Sequence, residues 1–113
     1  MPPVKEGSIF IKRKIMEKFE DLIQSQSPVL VDFFAEWCGP CKAMKPILED
    51  LKQQVGEKAR IVKIDVDTHE ELAVKYRIQA VPTFILFKKG EAVWRHSGMI
   101  QASELKGVIE QYT

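Results

Sequence analysis

Val29-Leu30-Val31-Asp32-Phe33-Phe34 runs through Ala35 and Glu36 into Trp37-Cys38-Gly39-Pro40-Cys41-Lys42, and this stretch decides the architecture. Its first six residues form an apolar run broken by one acid and rich in β-branched and aromatic side chains. Such a run suits a strand buried on both faces. Ser25 to Pro28 precedes it with turn chemistry. Beyond the cysteines, Met44, Ile47, Leu48, Leu51 and Val55 recur at helical spacing until Gly56, which supplies a C-terminal stop. Pro46 falls inside that pattern and predicts a kink. Arg60–Val66 then reads as a second buried strand. Thr68-His69-Glu70-Glu71 has the form of a capping box opening a short helix through Tyr76. Strand, helix, strand in this order predicts a parallel pair joined by a right-handed crossover.

Further along, the grammar changes. Pro82–Phe87 is a strand, Lys88-Lys89-Gly90-Glu91 a tight turn, and Ala92–Ser97 the returning strand. So short a connection makes that pair antiparallel. Leu105, Val108, Ile109 and Tyr112 mark a final amphipathic helix. Toward the amino terminus, a short apolar run at Ile9–Ile11 precedes Ile15, Met16, Phe19, Leu22 and Ile23, which share one helical face. Lys12-Arg13-Lys14 is most simply a solvated turn, and any first strand before it is short or displaced. The sum is an α/β fold, a mixed sheet of four to five strands in a three-layer α/β/α sandwich. No repeat, low-complexity tract or linker interrupts the chain. Its 113 residues therefore read as one domain, 1–113, with an atypical arm over 1–14.

Hydrophobic residues at 45% and charged residues at 29% are sufficient for a packed core. With 17 basic and 16 acidic residues the formal net charge is +1, which gives no electrostatic reason to expect nucleic acid or a charged membrane as partner. No stretch approaches the roughly 20 apolar residues of a spanning helix. The first fourteen residues lack the apolar core of a secretory signal, so a cytoplasmic location is the expectation; one domain with a buried core and small surface patches predicts a monomer.

The two cysteines lie three positions apart. A bridge across so short a loop contributes only roughly 2 kcal/mol of chain entropy, so the pair is placed for reactivity. Zinc is one use of such a pair, but a structural site needs four ligands. The only histidines are His69 and His96, without metal-ligand spacing between them. Thiol–disulfide exchange is the other use, favoured at a strand-to-helix junction. There, helix N–H groups and the dipole lower the pKa of Cys38, while Cys41, one turn on and less exposed, reaches back to it. Asp32 costs several kcal/mol in a buried strand unless it has a role, and desolvation raises its pKa toward that of a proton acceptor. The bland alternative is an outward-facing strand residue.

Trp37-Cys38-Gly39-Pro40-Cys41-Lys42, led in by Val31–Glu36, resembles the active-site motif of the thioredoxin family, and the resemblance runs from about Val29 to the C-terminus. It implies a protein-disulfide reductase with Cys38 as nucleophile and Cys41 as resolving thiol. Asp32 is implied as general base for Cys41, with Lys63 as its cationic neighbour, although Lys63 also reads as an ordinary solvated lysine. Val81-Pro82-Thr83 matches the family's cis-proline turn; a trans proline opening an edge strand is the plainer reading. Trp37, Gly39, Pro40, Ala80, Val81, Gly98 and Met99 match positions of an apolar substrate groove, with Gly98 also readable as a turn glycine. The implied partners are protein disulfides and a flavin-dependent thioredoxin reductase, with no cofactor or metal. A more oxidising, isomerase-like protein is the second reading, and the Gly39-Pro40 pair of reducing members argues against it. A binding subunit of a larger assembly is the third. Three departures from the family stand out: Phe34 occupies a frequent tryptophan position, the segment Met1–Lys14 does not resemble the usual first strand well, and Gln101 is a poor cap where serine is common.

Overall fold

A computed structural model describes residues 6–113, with side chains from residue 13 onward. In chain order the elements are α1 (Glu6–Ile23), β1 (Val29–Phe34), α2 (Gly39–Val55), a 3₁₀ turn (Gly56–Lys58), β2 (Arg60–Asp65), α3 (Glu70–Lys75), β3 (Thr83–Lys88), β4 (Glu91–Ser97) and α4 (Ala102–Gln111). The strands form one mixed sheet in the order β2-β1-β3-β4. β1 pairs parallel with β2, placing Asp32 opposite Lys63, and antiparallel with β3. β3 pairs antiparallel with β4.

Period-2 alternation sorts the strand side chains into two layers. Leu30, Phe84 and Leu86 pack against Met44, Leu48 and Leu51 of α2 and Leu105 and Ile109 of α4. Val29, Val31, Phe33, Ile85 and Phe87 pack on the opposite face against Phe19 and Ile23 of α1 and Leu72 of α3. A sheet covered by helices on both faces is the predicted sandwich. The central position of β1 explains its burial on both sides, and that position carries Asp32 into the interior.

Three local readings are corrected. Residues 9–11 and the Lys12-Arg13-Lys14 run lie within α1. Helix formers dominate that segment, and no proline interrupts it between Ser8 and Ile23. The expected solvated turn is therefore absent, and the described sheet has four strands; any earlier strand in residues 1–5 lies outside the described residues. β2 is an edge strand among the described residues, so its side chains are half-buried or exposed instead of buried. The capping box does not form. His69 is the N-cap of α3 and makes no side-chain cap bond, because the Thr68 hydroxyl instead turns to the Asp65 carbonyl at 3.4 Å and the His69 ring at 3.0 Å. By contrast Gly56 ends α2 at φ 54°, its N–H donating to the Lys52 carbonyl, and Gln101 begins α4 without a side-chain cap bond.

The β3–β4 turn also serves α1. Lys89 and Gly90 have φ of 53° and 84°, the paired left-handed residues of a type I′ hairpin. Gly90 N–H donates to the Ile23 carbonyl at 2.8 Å and Lys89 N–H to the Ser25 carbonyl at 3.2 Å, so the turn caps the end of α1. A Cβ at Gly90 would run into the amide end of the Gln24 side chain. Gly90→Ala is expected to lower stability by about 1–2 kcal/mol through the left-handed backbone and this clash. Urea unfolding checks it as a reduced midpoint at unchanged slope. In a Gln24→Ala background, only the backbone part of the loss should remain.

Candidate active site

β1 ends at Phe34, and the chain turns through Ala35–Trp37, with Cys38 N–H donating to the Ala35 carbonyl at 3.2 Å. Cys38 then takes the N-cap of α2 in extended geometry, and its sulfur accepts the Cys41 N–H at 3.1 Å. Gly39 and Pro40 are the first two helical residues, where a missing proline N–H sacrifices no helical bond. Cys41 falls one turn on and buries its side chain toward the sheet. The two sulfurs are bonded to each other, with Cα atoms 5.2 Å apart. In the reduced protein, the amide aimed at Cys38 Sγ and the free N–H groups of the first turn favour its thiolate. Both cysteines are buried, Cys38 at 3% exposure and Cys41 at 6%, so the expectation that Cys41 is the less exposed fails. Ala35 and Val81 pack against the pair, while Cys41 also borders a small cavity.

That cavity brings together Asp32, Lys63 and Cys41, with Phe34 and Lys45 also on its wall. It has room for about one water molecule. Asp32 is 2% exposed, and its Oδ1 has no hydrogen-bond partner in the structure. Burial pushes its carboxyl up to about 6, while the Lys63 ammonium pulls it down. The outward-facing reading of Asp32 is therefore excluded. Lys63 is exposed and also lies over the Phe34 ring, 5.8 Å from its centroid. A tryptophan at position 34 would offer an N–H; phenylalanine offers this cation only its face.

On the other side of the cysteines, the Val81–Pro82 peptide is cis and Pro82 is buried. Cys38 Sγ lies 3.7 Å from the Val81 carbonyl oxygen. Thr83 secures the turn: its Oγ1 donates to the Ala80 carbonyl at 2.6 Å and lies 2.9 Å from the Ser97 hydroxyl. Trp37, Ala80 and Val81 line one apolar groove with Val66, Ile78 and Gln79. Trp37 is 71% exposed, its Nε1–H donating to Asp67 Oδ2 at 2.9 Å. Gly39 and Pro40 are exposed at the start of α2 beside this groove. Gly98 is not among its lining residues. It has φ 97°, and its N–H donates to the Pro82 carbonyl at 2.8 Å, so it is a turn glycine bracing the cis-proline strand. Met99, 50% exposed, belongs to a separate hollow with Ile47 and Ile100.

Asp67 and Val66 escaped the sequence reading. Asp67 lies in a turn closed by its own N–H donating to Asp65 Oδ1 at 2.8 Å, and an Asp-Val-Asp run after a strand signals such a turn but not its tryptophan partner. A strand-to-helix junction carrying a disulfide at the helix N-cap, facing a cis-proline, defines a thiol–disulfide exchange protein. The thioredoxin family model matches residues 11–111, and the chain belongs to the thioredoxin family. It is 43% identical over 100 residues to Thioredoxin Y, chloroplastic, of Oryza sativa subsp. japonica, covering 88% of this chain and 60% of that protein. It is 45% identical over 96 residues to Thioredoxin C-2 of Corynebacterium nephridii, covering 84% and 89%. The Bifunctional thioredoxin reductase/thioredoxin of Mycobacterium leprae shares 39% identity over 98 residues, 87% of this chain and 21% of that protein. The solved structure of Fasciola hepatica thioredoxin superimposes with a TM-score of 0.77 at 36% identity, covering 89% of this chain and 94% of that one. The chain thus spans about three-fifths of the length of the rice relative and most of the shorter ones.

Proposed function

We propose that this protein is a general protein-disulfide reductase. The Cys38 thiolate attacks one sulfur of a substrate disulfide, forming a mixed disulfide and releasing the first substrate thiolate. Asp32 accepts the Cys41 proton through the shared cavity, and the Cys41 thiolate attacks Cys38 Sγ. The second substrate thiolate leaves, two electrons have passed to the substrate, and the Cys38–Cys41 disulfide described above is the product. Lys63 steadies the charge on Asp32. Trp37, Ala80 and Val81, with Gly39 and Pro40 beside them, receive an extended substrate segment, which pairs with the Val81 backbone in strand-addition fashion, while Gly98 braces the turn behind it. The observation that carries this reading is the disulfide at a helix N-cap beside an exposed tryptophan and a cis-proline turn.

A flavin-dependent thioredoxin reductase restores the dithiol; the relative that joins reductase and thioredoxin in one chain supports that pairing. The chain acts as a single domain and a monomer, since every group named is supplied within it. Its place is a reducing compartment, taken as the cytoplasm, where a dithiol stays regenerable; three relatives carry chloroplastic names. Among the described residues no helix is long and apolar enough to cross a membrane. The test is an insulin-type reduction assay with NADPH-linked reductases: turnover is expected, and its absence with every electron donor overturns the proposal. Equilibration with glutathione fixes the direction, since a strongly oxidising potential would make the protein an oxidant instead.

A further inference from the structure

α3 ends in a Schellman motif whose left-handed residue is Arg77, φ 53°, where glycine is usual. Arg77 N–H donates to the Val74 carbonyl at 3.1 Å and Ile78 N–H to the Ala73 carbonyl at 2.8 Å. The motif leaves the Tyr76 and Arg77 carbonyls pointing outward. Arg95 takes both: Nη1 donates to Tyr76 O at 2.5 Å and Nη2 to Arg77 O at 2.6 Å. Its guanidinium fork suits two adjacent acceptors in a way a single ammonium does not. Arg95 reaches them because it sits on β4 opposite Ile85, on the face of the sheet that carries α3.

The segment leaving this anchor is short. Ile78, Gln79, Ala80 and Val81 all line the groove beside Trp37, and Val81 presents its carbonyl to Cys38. At its far end the same segment is tied again to β4 and the residue beyond it, by Thr83 against Ser97 and by Gly98 N–H on the Pro82 carbonyl. One wall of the groove is therefore suspended between two attachments to β4, and the side chain of that strand that holds its upstream end is Arg95. Resting on the reductase reading above, we infer that Arg95 is a positioning residue: it sets the Ile78–Val81 wall in register with Cys38 so that protein substrates are met by a preformed groove. It touches neither cysteine and takes no part in the exchange itself.

Arg95→Ala should raise KM for disulfide-bonded insulin or another protein disulfide by about tenfold with kcat nearly unchanged, since misplaced positioning groups act on binding geometry. Reduction of the small disulfide dithiobis(nitrobenzoate), which does not use the groove wall, should stay within about twofold of the wild-type rate. Arg95→Lys, able to hold one carbonyl, should fall between the two. Amide hydrogen exchange should rise at Ile78 in Arg95→Ala, while Cys41 N–H keeps its protection. A role confined to stability would lower the thermal midpoint and leave the protein-substrate KM where it was; that result overturns the inference, as does equal slowing of both substrates or unchanged exchange at Ile78. If the wild-type protein itself reduces no protein disulfide, the reductase reading fails instead, and the exchange arm still decides whether Arg95 holds the segment.

Discussion

Replacing Cys38 by serine is expected to abolish protein-disulfide reduction, with turnover falling by about 10⁴-fold or more, as when the nucleophile of a covalent mechanism is removed. The loss should be chemical and not structural. Serine is among the best N-cap residues, and its Oγ can accept the Cys41 N–H that Cys38 Sγ now accepts at 3.1 Å. α2 keeps its cap, so the variant should match the unfolding midpoint of the reduced wild-type protein within about 1 kcal/mol. Cys41→Ser should behave differently. Its Cys38 thiolate still attacks, but the serine hydroxyl cannot displace the substrate, and the mixed disulfide accumulates as a stable adduct of protein plus substrate in mass spectrometry under non-reducing conditions. The reverse pattern, with the adduct forming through Cys41 in Cys38→Ser, would exchange the two roles. Full biological activity in Cys38→Ser would instead favour a binding subunit whose thiols are incidental.

The N-cap position of Cys38 was legible in the sequence because it depends on spacing and on one junction. A cysteine one short turn after a buried strand and directly before an amphipathic helix is an N-cap by position, and the cap geometry follows. Asp32 was legible for a related reason: an acid in a run that is apolar on both sides must be buried wherever the strand is central. The errors have a common cause too. His69 and Thr68 satisfy a capping pattern on paper, yet the Thr68 hydroxyl engages the Asp65 carbonyl and the His69 ring nitrogen, a local turn bond that competes with capping. Residues 9–14 offered competing strand, turn and helix signals, and the absence of any breaker before Ile23 let the helix extend through them. Trp37 with Asp67, and Arg95 with the end of α3, join side chains to groups thirty and eighteen or nineteen positions away. No local period encodes such pairs; they follow from strand order and register, which only the folded sheet supplies.

The buried carboxyl makes the second large prediction, and its sign is fixed by the direction of the shift. Asp32 moves from an ordinary 3.8 to about 6 on folding, chiefly through desolvation. A folded value above the unfolded one means the native state holds the proton more tightly. The contribution is therefore fully present below about pH 4 and lost as pH rises through about 6. The separation corresponds to about 3 kcal/mol, the amount by which ionising Asp32 destabilises the native protein at pH 7. Asp32→Asn cannot ionise, so its stability relative to the wild-type protein should climb by about 3 kcal/mol between pH 3 and pH 8, most of it between pH 4 and pH 7, and then level off. Measuring the disulfide form removes Cys38 and Cys41 from the titration, and taking the difference between the two proteins cancels the distant groups common to both. The same variant should pay for this stability in chemistry. Without an acceptor for the Cys41 proton, breakdown of the mixed disulfide at pH 7 should slow by about 10²-fold, and the inflection near pH 6 in that step should vanish. Rapid-quench measurement of adduct decay reads both effects. A stability difference that stays flat from pH 4 to pH 7 would mean that Asp32 is solvated or paired in the native protein. Decay at the wild-type rate would remove it from the mechanism even if the stability arm held, because burial alone raises a carboxyl without giving it a proton to accept.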